Sequence, residues 1–177
     1  MQMDEGLDTG DMIMKTEVPI AEDETGETLH DKLAAAGAEL CVETLKALED
    51  GTAVHEKQGE SPTAYAKMLT KELGNIDWAQ PAVRIERLIR GLNSWPGTYS
   101  HWNGKVMKIW KAKAEENNGG NNQPGAVLGV GKNDFTVQTG DGILRILEVQ
   151  MPGKKRMETG AFLRGNTMEP GDVLTQV

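Results

Sequence analysis

Apolar side chains recur every three or four positions between residues 28 and 51, which predicts an amphipathic α-helix there. One stripe along this helix is formed by Leu29, Leu33, Ala36, Leu40 and Leu48. Thr28 and Asp31 have a spacing like that of a capping box at its start, and Gly51 is a typical C-terminal stop. Cys41 lies beside the stripe and is interpreted as a small buried apolar residue rather than a nucleophile.

A second helical pattern follows Pro81, which suits the first turn of a helix, and ends at Gly91. Its predicted apolar side consists of Val83, Leu88 and Ile89. Upstream of both helices, residues 12–18 are predicted to form a short strand. Residues 52–74 have no sustained period and are predicted to be a connecting segment.

From residue 98 onward the pattern indicates short strands separated by Gly-containing turns. Asn103-Gly104 is the strongest hairpin signal, because both turn positions require positive φ. The predicted strands cover residues 98–102, 105–113, 126–130, 135–139 and 143–150. Residues 115–125 are predicted to form a flexible loop, and residues 161–164 a final short helix. Closely spaced strands of this kind favour a small barrel or sandwich.

The composition is that of an ordinary globular chain, with 38% hydrophobic and 26% charged residues over 177 positions. This length accommodates one domain or two small ones. The single cysteine excludes a disulfide within the chain. No apolar run approaches membrane-spanning length, and the first residues are acidic, so neither a membrane span nor a signal peptide is predicted. We therefore expect a cytoplasmic protein with no membrane partner.

Charge is distributed unevenly along the chain. Residues 1–75 contain 17 acidic and 6 basic residues, which gives −11, whereas residues 76–177 contain 10 acidic and 13 basic residues, which gives +3. The two values sum to the net charge of −8. Such a break indicates two parts with different partners, and the basic part is the one that suits a polyanion.

The candidate metal and phosphate motifs are incomplete. The acidic residues of the first loop lack EF-hand spacing, and a solvated loop is favoured there over a lone magnesium site. His30, His55 and His101 have no Cys or His neighbours at ligand spacing, so no zinc site is predicted. The pair Gly131-Lys132 lacks the other residues of a phosphate-binding loop and is interpreted as a hairpin turn.

Clusters of Lys and Arg in the second half are candidates for phosphate contacts. One predicted strand carries Lys105, Lys108, Lys111 and Lys113, three of them on one face if the alternation is regular. A turn carries Lys154, Lys155 and Arg156, and a flank of the second helix carries Arg84, Arg87 and Arg90. Singly the strand cluster and the turn cluster each favour a solvated surface, and together these two make a nucleic-acid surface an equal alternative. Core packing is favoured over base stacking for most of the tryptophans, which are Trp78, Trp95, Trp102 and Trp110.

Several stretches, in their order and spacing, resemble those of the methionyl-tRNA formyltransferase family and together cover nearly the whole chain. They are "MDEGLDTGDM", "LHDKLAAAGAELCVETLKALEDGTA", "KMLTKELGNIDW", "RLIRGLNSWPG", "TGDGILRILEVQMPGKKRM", "FLRG" and "PGDVL". The resemblance implies formylation of initiator Met-tRNA, with 10-formyltetrahydrofolate as the formyl donor and no metal. It also implies an α+β chain with three parts. These are residues 1–52, a remnant strand and helix of a Rossmann-like catalytic domain; residues 53–74, a linker; and residues 75–177, an OB-like open β-barrel that binds tRNA.

The same resemblance assigns roles to individual residues. In "LDTG", Asp8 takes the position of the family's catalytic aspartate, which orients a histidine, and Gly10 completes the substrate loop. The family's catalytic Asn and His would lie upstream of Met1, so the chain is expected to be a truncated portion that is inactive alone. In the linker, Lys67 and Lys71 are assigned to tRNA, although one lysine is displaced by one position from the family pattern.

Two alternatives to a tRNA formyltransferase portion remain open from the sequence. One is a stand-alone nucleic-acid-binding OB-like module without catalysis, and the other is a related sugar-nucleotide or purine formyltransferase. The basic second half argues against the latter, because a small substrate needs no track of phosphate contacts. The whole enzyme is expected to be monomeric. For the portion given by this chain, an exposed apolar face along Leu29, Leu33 and Leu40 predicts mobility, self-association or aggregation.

Overall fold

The computed structural model of the chain describes residues 1–61, 63–116 and 122–176. The chain forms two compact units. The first unit comprises Met1–Glu22 and Thr28–Met68, and the second comprises Asp23–Glu27 and Leu69–Val177. Within the predicted loop 115–125, residues 117–121 lie outside the described residues.

The long amphipathic pattern forms helix α1, Gly26–Glu49. It begins two residues before Thr28, so the prediction that Thr28 and Asp31 cap its start is wrong. At its end Gly51 adopts φ +68°, and the Thr52 amide donates to the Ala47 carbonyl at 2.9 Å. Glycine tolerates this left-handed conformation at no steric cost, which explains the predicted stop.

No residue of α1 is buried, but the predicted exposed face along Leu29, Leu33 and Leu40 is open only in part, because Leu29 and Leu40 are half-buried. The side chain of Leu33 is 51% exposed and that of Leu45 is 61% exposed. Cys41 is also exposed, and its interpretation as a buried residue is wrong, because the face on which it lies is uncovered.

The predicted strand at residues 12–18 does not form. Met12 makes only an isolated antiparallel bridge to Glu56, with two backbone hydrogen bonds of 2.8 Å. A strand needs a second strand that pairs with its backbone along its length. Within the described residues of the first unit, no segment pairs in this way with the residues that follow Met12.

The second unit is built on a six-stranded antiparallel sheet. Its strands are β1 Thr98–Trp102, β2 Lys105–Glu115, β3 Val127–Val130, β4 Phe135–Gln138, β5 Ile143–Gln150 and β6 Met157–Glu158. The order across the sheet is β1-β2-β5-β4-β3, and β6 also pairs with β5. The other elements of this unit are a 3₁₀ helix, Lys71–Gly74, and helices α2, Ala82–Gly91, and α3, Thr159–Leu163.

The β1–β2 hairpin forms as its turn predicts, with φ values of +49° at Asn103 and +71° at Gly104. Further along β2 the pairing with β5 shifts around Lys111, which marks a β-bulge. Bulges bend a strand and interrupt its alternation of faces. Before the bulge the odd-numbered positions Met107 and Ile109 face the core. After it the even-numbered positions Ala112 and Ala114 do so.

The hydrophobic core lies between the sheet and helices α2 and α3. Helix α2 contributes Ile85 and Ile89, each 1% exposed, and α3 contributes Phe162. Val83 was predicted on the apolar side of α2 but is 50% exposed. The turn of the helix places Val83 about 200° from Ile85, on the opposite side.

A charged network crosses the outer surface of the sheet. The Arg145 guanidinium donates two hydrogen bonds to Glu115, at 2.7 and 2.8 Å, and one to Asp134 at 2.7 Å. The hydrogen bonds from Arg145 lower the pKa of the Glu115 carboxyl below its ordinary value, and they raise the pKa of Arg145. The Arg145 guanidinium is therefore already paired with two carboxylates of its own unit.

The chain thus combines helices with an open antiparallel sheet, which agrees with the predicted α+β class. None of the helices described is both long and apolar enough to cross a membrane.

Candidate functional site

The loop that carries Asp8 has an unusual backbone geometry. Asp8 is exposed and adopts φ +56°, a left-handed conformation that only a few per cent of non-glycine residues adopt. Gly10 is buried, and a Cβ atom at this position would lie 1.7 Å from the carbonyl oxygen of Gln2. The loop therefore requires glycine at position 10.

Gln58 holds this loop through two hydrogen bonds. Its side-chain amide donates to the carbonyl oxygen of Asp8 at 2.9 Å and to that of Gly10 at 2.7 Å. Nearby, the Gln2 amide donates to the Asp11 carbonyl at 2.8 Å. Gln58 was not identified from the sequence, because it lies in an aperiodic segment and its partners are about fifty positions away.

The Asp8 carboxylate accepts no hydrogen bond from the residues described, so it is open to a partner. A carboxylate held in this way can orient and charge an imidazole or a water molecule. Within residues 1–61, 63–116 and 122–176, no three His, Cys, Asp or Glu side chains are grouped so as to hold a metal ion.

The close approach at Gly10 predicts a specific defect. Gly10→Ala should displace the Gln2 backbone or break the contacts with Gln58, because a 1.7 Å contact cannot be accommodated. We expect faster amide hydrogen exchange in residues 8–12, by about tenfold or more, than in the unmodified chain.

The control for this prediction is Gly59→Ala. A Cβ atom added at Gly59 would have no neighbouring atom within 4 Å, so exchange in the loop should not change. Equal exchange rates in the two variants would show that the contact between Gly10 and Gln2 does not hold the loop.

The lysines of β2 do not follow regular alternation, which would group Lys105 with Lys111 and Lys113. Three lysines still share one face, but they are Lys108, Lys111 and Lys113, which lie opposite the core-facing positions. The bulge turns Ala112 and Ala114 toward the core and leaves Lys111 and Lys113 exposed. In the register with β5, Lys111 lies opposite Glu148 and Lys113 lies opposite Arg145. Lys105 is exposed at the start of the strand.

Two of the predicted cations flank one tryptophan. The Lys108 ammonium lies 5.3 Å from the centre of the Trp110 ring, and the Arg156 guanidinium lies 5.1 Å from it. Arg156 also forms a two-point ion pair with Glu148, with one hydrogen bond of 2.6 Å, which raises the pKa of Arg156. Part of the charge of Arg156 is thus neutralised within the sheet.

The three arginines of α2 do not form one free surface. Arg84 and Arg87 are exposed, whereas Arg90 donates to the carbonyl oxygen of Glu24 at 2.7 Å. Successive steps of three positions rotate around a helix by about 300° each, so the third arginine reaches a different side. Arg90 is therefore engaged within the second unit.

The remaining predicted basic residues are distributed as follows. Lys71 and Lys108 line one groove of the second unit, of about 590 Å³. Lys105 and Lys154 line another groove of about 630 Å³, and Lys155 is exposed. Lys67 is exposed and belongs to the first unit.

The first of these grooves also contains aromatic residues that sequence analysis did not place in a site. Tyr99 and His101 point outward from β1, because Thr98, Ser100 and Trp102 alternate with them and are buried. Trp95 lines the same groove and is 58% exposed. The alternation in "TYSHW" could have indicated this surface, because a Tyr and a His that point outward from a strand do not pack in the core.

Both halves of the chain match known protein families. The family described as "Formyl transferase, C-terminal domain" matches residues 68–167, and the family described as "Formyl transferase" matches residues 1–45. The chain is 55% identical over 175 residues to a methionyl-tRNA formyltransferase of Agathobacter rectalis, which covers 99% of the chain and 56% of the relative. It is 48% identical over 174 residues to that of Caldanaerobacter subterraneus subsp. tengcongensis, covering 98% of the chain and 56% of the relative.

Among solved structures, the chain resembles HypX from Aquifex aeolicus in complex with tetrahydrofolic acid. The TM-score is 0.61 at 23% identity, and the match covers 98% of this chain and 32% of HypX. At this identity the similarity concerns the fold alone. The chain spans about half the length of the curated relatives that it matches.

Proposed function

Because the chain belongs to the formyl transferase family, we propose that it provides the tRNA-binding part and one catalytic carboxylate of a methionyl-tRNA formyltransferase. The observation that carries this proposal is the 55% identity to an enzyme of that name over 99% of the chain. The match includes both the Asp8 loop and the basic residues 76–177, which are the two features that such an enzyme would use.

The proposed reaction transfers a formyl group from 10-formyltetrahydrofolate to the amino group of methionine on initiator tRNA. The amine attacks the formyl carbon, the bond from that carbon to the folate nitrogen breaks, and the proton that the amine loses is taken up by the released folate nitrogen. Asp8 would orient and charge a histidine supplied by the rest of the enzyme and organise the water that carries the proton. The exposed carboxylate and the backbone clamp from Gln58 support this role.

For the fold we propose a finer description. The first unit corresponds to a remnant of a Rossmann-like catalytic domain followed by linker residues, and the sheet of the second unit to an OB-like open β-barrel. The proposed domains are residues 1–52, 53–74 and 75–177. The antiparallel sheet order and its short strands support the barrel description.

The proposed tRNA contacts are made by basic residues that the structure leaves exposed, apart from Lys108, which is half-buried. They are Lys67, Lys71, Arg84, Arg87, Lys105, Lys108, Lys111, Lys113, Lys154 and Lys155. Lysine and arginine neutralise phosphates and release counterions, which gives affinity that falls steeply with salt. Arg90 and Arg156 are expected to contribute less, because each is already bound within the second unit.

Titration of the chain with initiator tRNA at several salt concentrations tests this proposal. We expect affinity to fall with salt, and the double substitution Lys154→Ala with Lys155→Ala should reduce the slope of log affinity against log salt by about 2, one for each phosphate contact. Lys132→Ala is the matched control, because Lys132 is an exposed lysine of the same unit outside the proposed contacts. No binding at low salt, or an equal effect of the control, would contradict the proposed contacts.

A further inference from the structure

The outer face of the β1–β2 hairpin combines rings and cations. In the register of the two strands, Tyr99 lies opposite Lys108 and His101 lies opposite Val106. Side chains that are directly opposite on one face of a sheet touch, so these four form a continuous patch. Trp95 and Lys71 complete it. We call the groove lined by Lys71, Trp95, Tyr99, His101, Val106 and Lys108 the hairpin groove.

The apolar part of the hairpin groove is open to solvent. The side chain of Trp95 is 58% exposed and that of Val106 is 38% exposed, although both are large apolar groups. The Tyr99 and His101 rings meet edge to face with centres 6.0 Å apart. Its volume of about 590 Å³ lies within the range of small-ligand pockets.

The charge of the hairpin groove has one sign. Lys71 and Lys108 contribute ammonium groups, and no carboxylate among the described residues lines the groove. By contrast, another groove of the same unit is lined by Glu115, Glu116 and Asp141 and would repel an anion. The hairpin groove therefore suits a ligand that has both a flat aromatic group and a negative charge.

We propose that the hairpin groove binds one unpaired nucleotide of the tRNA, with the base stacked on Trp95 or Tyr99 and the phosphate near Lys71 and Lys108. This inference rests on the proposed function and specifies how part of the RNA is held. A base offers its face for stacking only when it is unpaired, and stacking on aromatic side chains with lysines on the backbone is the general mode of single-strand binding.

A second groove with two lysines is less suited to a base. It is lined by Lys105 and Lys154, but its aromatic residue, Phe162, is 1% exposed and is part of the core. Phosphates can bind there, whereas a base has no ring on which to stack. Stacking and phosphate contact thus coincide at the hairpin groove.

The test compares initiator tRNA, a short single-stranded oligoribonucleotide and an RNA duplex of the same length as ligands of the whole chain. Trp95→Ala should weaken binding of tRNA and of the single strand by roughly tenfold. The slope of log affinity against log salt should not change, because no phosphate contact is removed. Lys71→Ala should instead reduce that slope by about 0.7 for the single strand.

Two further variants separate stacking from a structural effect. Trp95→Phe retains a ring and should keep most of the affinity, while the quenching of tryptophan fluorescence on binding should fall. Val83→Ala is the control, because Val83 is a 50% exposed apolar residue of the same unit outside the hairpin groove. It should change neither the affinity for RNA nor the fluorescence quenching.

The outcomes distinguish the groove from the broader proposal. Salt-dependent tRNA binding that is insensitive to Trp95→Ala and Tyr99→Ala would overturn the hairpin groove as a nucleotide site and leave the tRNA-binding proposal intact. Loss of duplex and single-strand binding by equal factors in Trp95→Ala would also overturn it, because a paired base cannot stack there. Failure of the unmodified chain to bind any RNA would overturn both proposals.

Discussion

Asp8→Asn is expected to reduce formyl transfer by about 10²- to 10⁴-fold, the range for loss of a group that acts in proton transfer. The measurement uses a chimera in which this chain replaces the 175 residues that it matches in the Agathobacter rectalis relative. The amide has the shape of the carboxylate but no charge, so it cannot stabilise a protonated histidine. The loss should appear in kcat, with KM for tRNA nearly unchanged, because the tRNA contacts lie on other residues.

The matched control for this substitution is Glu5→Gln. Glu5 is an exposed acidic residue of the same loop, and its substitution also replaces a carboxylate by an amide. We expect the activity of this variant to equal that of the unmodified chimera. If Asp8→Asn retained full activity, or if Glu5→Gln lost as much, the assignment of the catalytic carboxylate to Asp8 would be wrong.

Phe135→Ala should lower the free energy of unfolding of the second unit by about 3–5 kcal/mol, the usual cost of truncating a buried aromatic residue. Phe135 lies on β4 opposite Ile146 and is completely buried in the core. Its removal leaves a cavity between the sheet and the helices that the remaining side chains can fill only in part. The measurement is urea denaturation followed by tryptophan fluorescence, since Trp78 and Trp102 are buried in this unit.

Two variants calibrate this result. Phe135→Leu keeps an apolar side chain of intermediate size and should cost less than Phe135→Ala. Val83→Ala, at a position that is 50% exposed, should change the free energy of unfolding by no more than about 0.5 kcal/mol. A small loss for Phe135→Ala, comparable with that for Val83→Ala, would show that β4 does not contribute to a close-packed core.

Features determined by neighbouring residues were predictable from the sequence. The hairpin at Asn103-Gly104 follows from the positive φ that both positions require, and α1 and α2 follow from their helical periodicity. The strand positions of the second unit were also predicted to within one or two residues, apart from the two-residue β6, which no pattern indicated. The family resemblance is confirmed by the identity to named relatives.

Features that depend on distant partners were not predictable. The bulge in β2 arises where β2 pairs with β5, and it altered the faces assigned to the β2 lysines. Gln58 reaches the Asp8 loop across about fifty positions, and Arg90 turns to the backbone of Glu24. Each of these contacts links segments whose proximity is set by the fold rather than by local sequence. The assigned roles of Asp8, Gly10 and the basic residues remain predictions.

The most direct test of the central proposal is formyl transfer by the chimera, with 10-formyltetrahydrofolate as donor and two competing acceptors. One acceptor is methionyl initiator tRNA, and the other is an amino sugar linked to a nucleotide, which represents the alternative class of formyl transferase. We predict that the formyl group appears on the methionine of the tRNA and not on the sugar. Formylation of the amino sugar, or no transfer to the tRNA by a chimera that is folded, would contradict the proposed function.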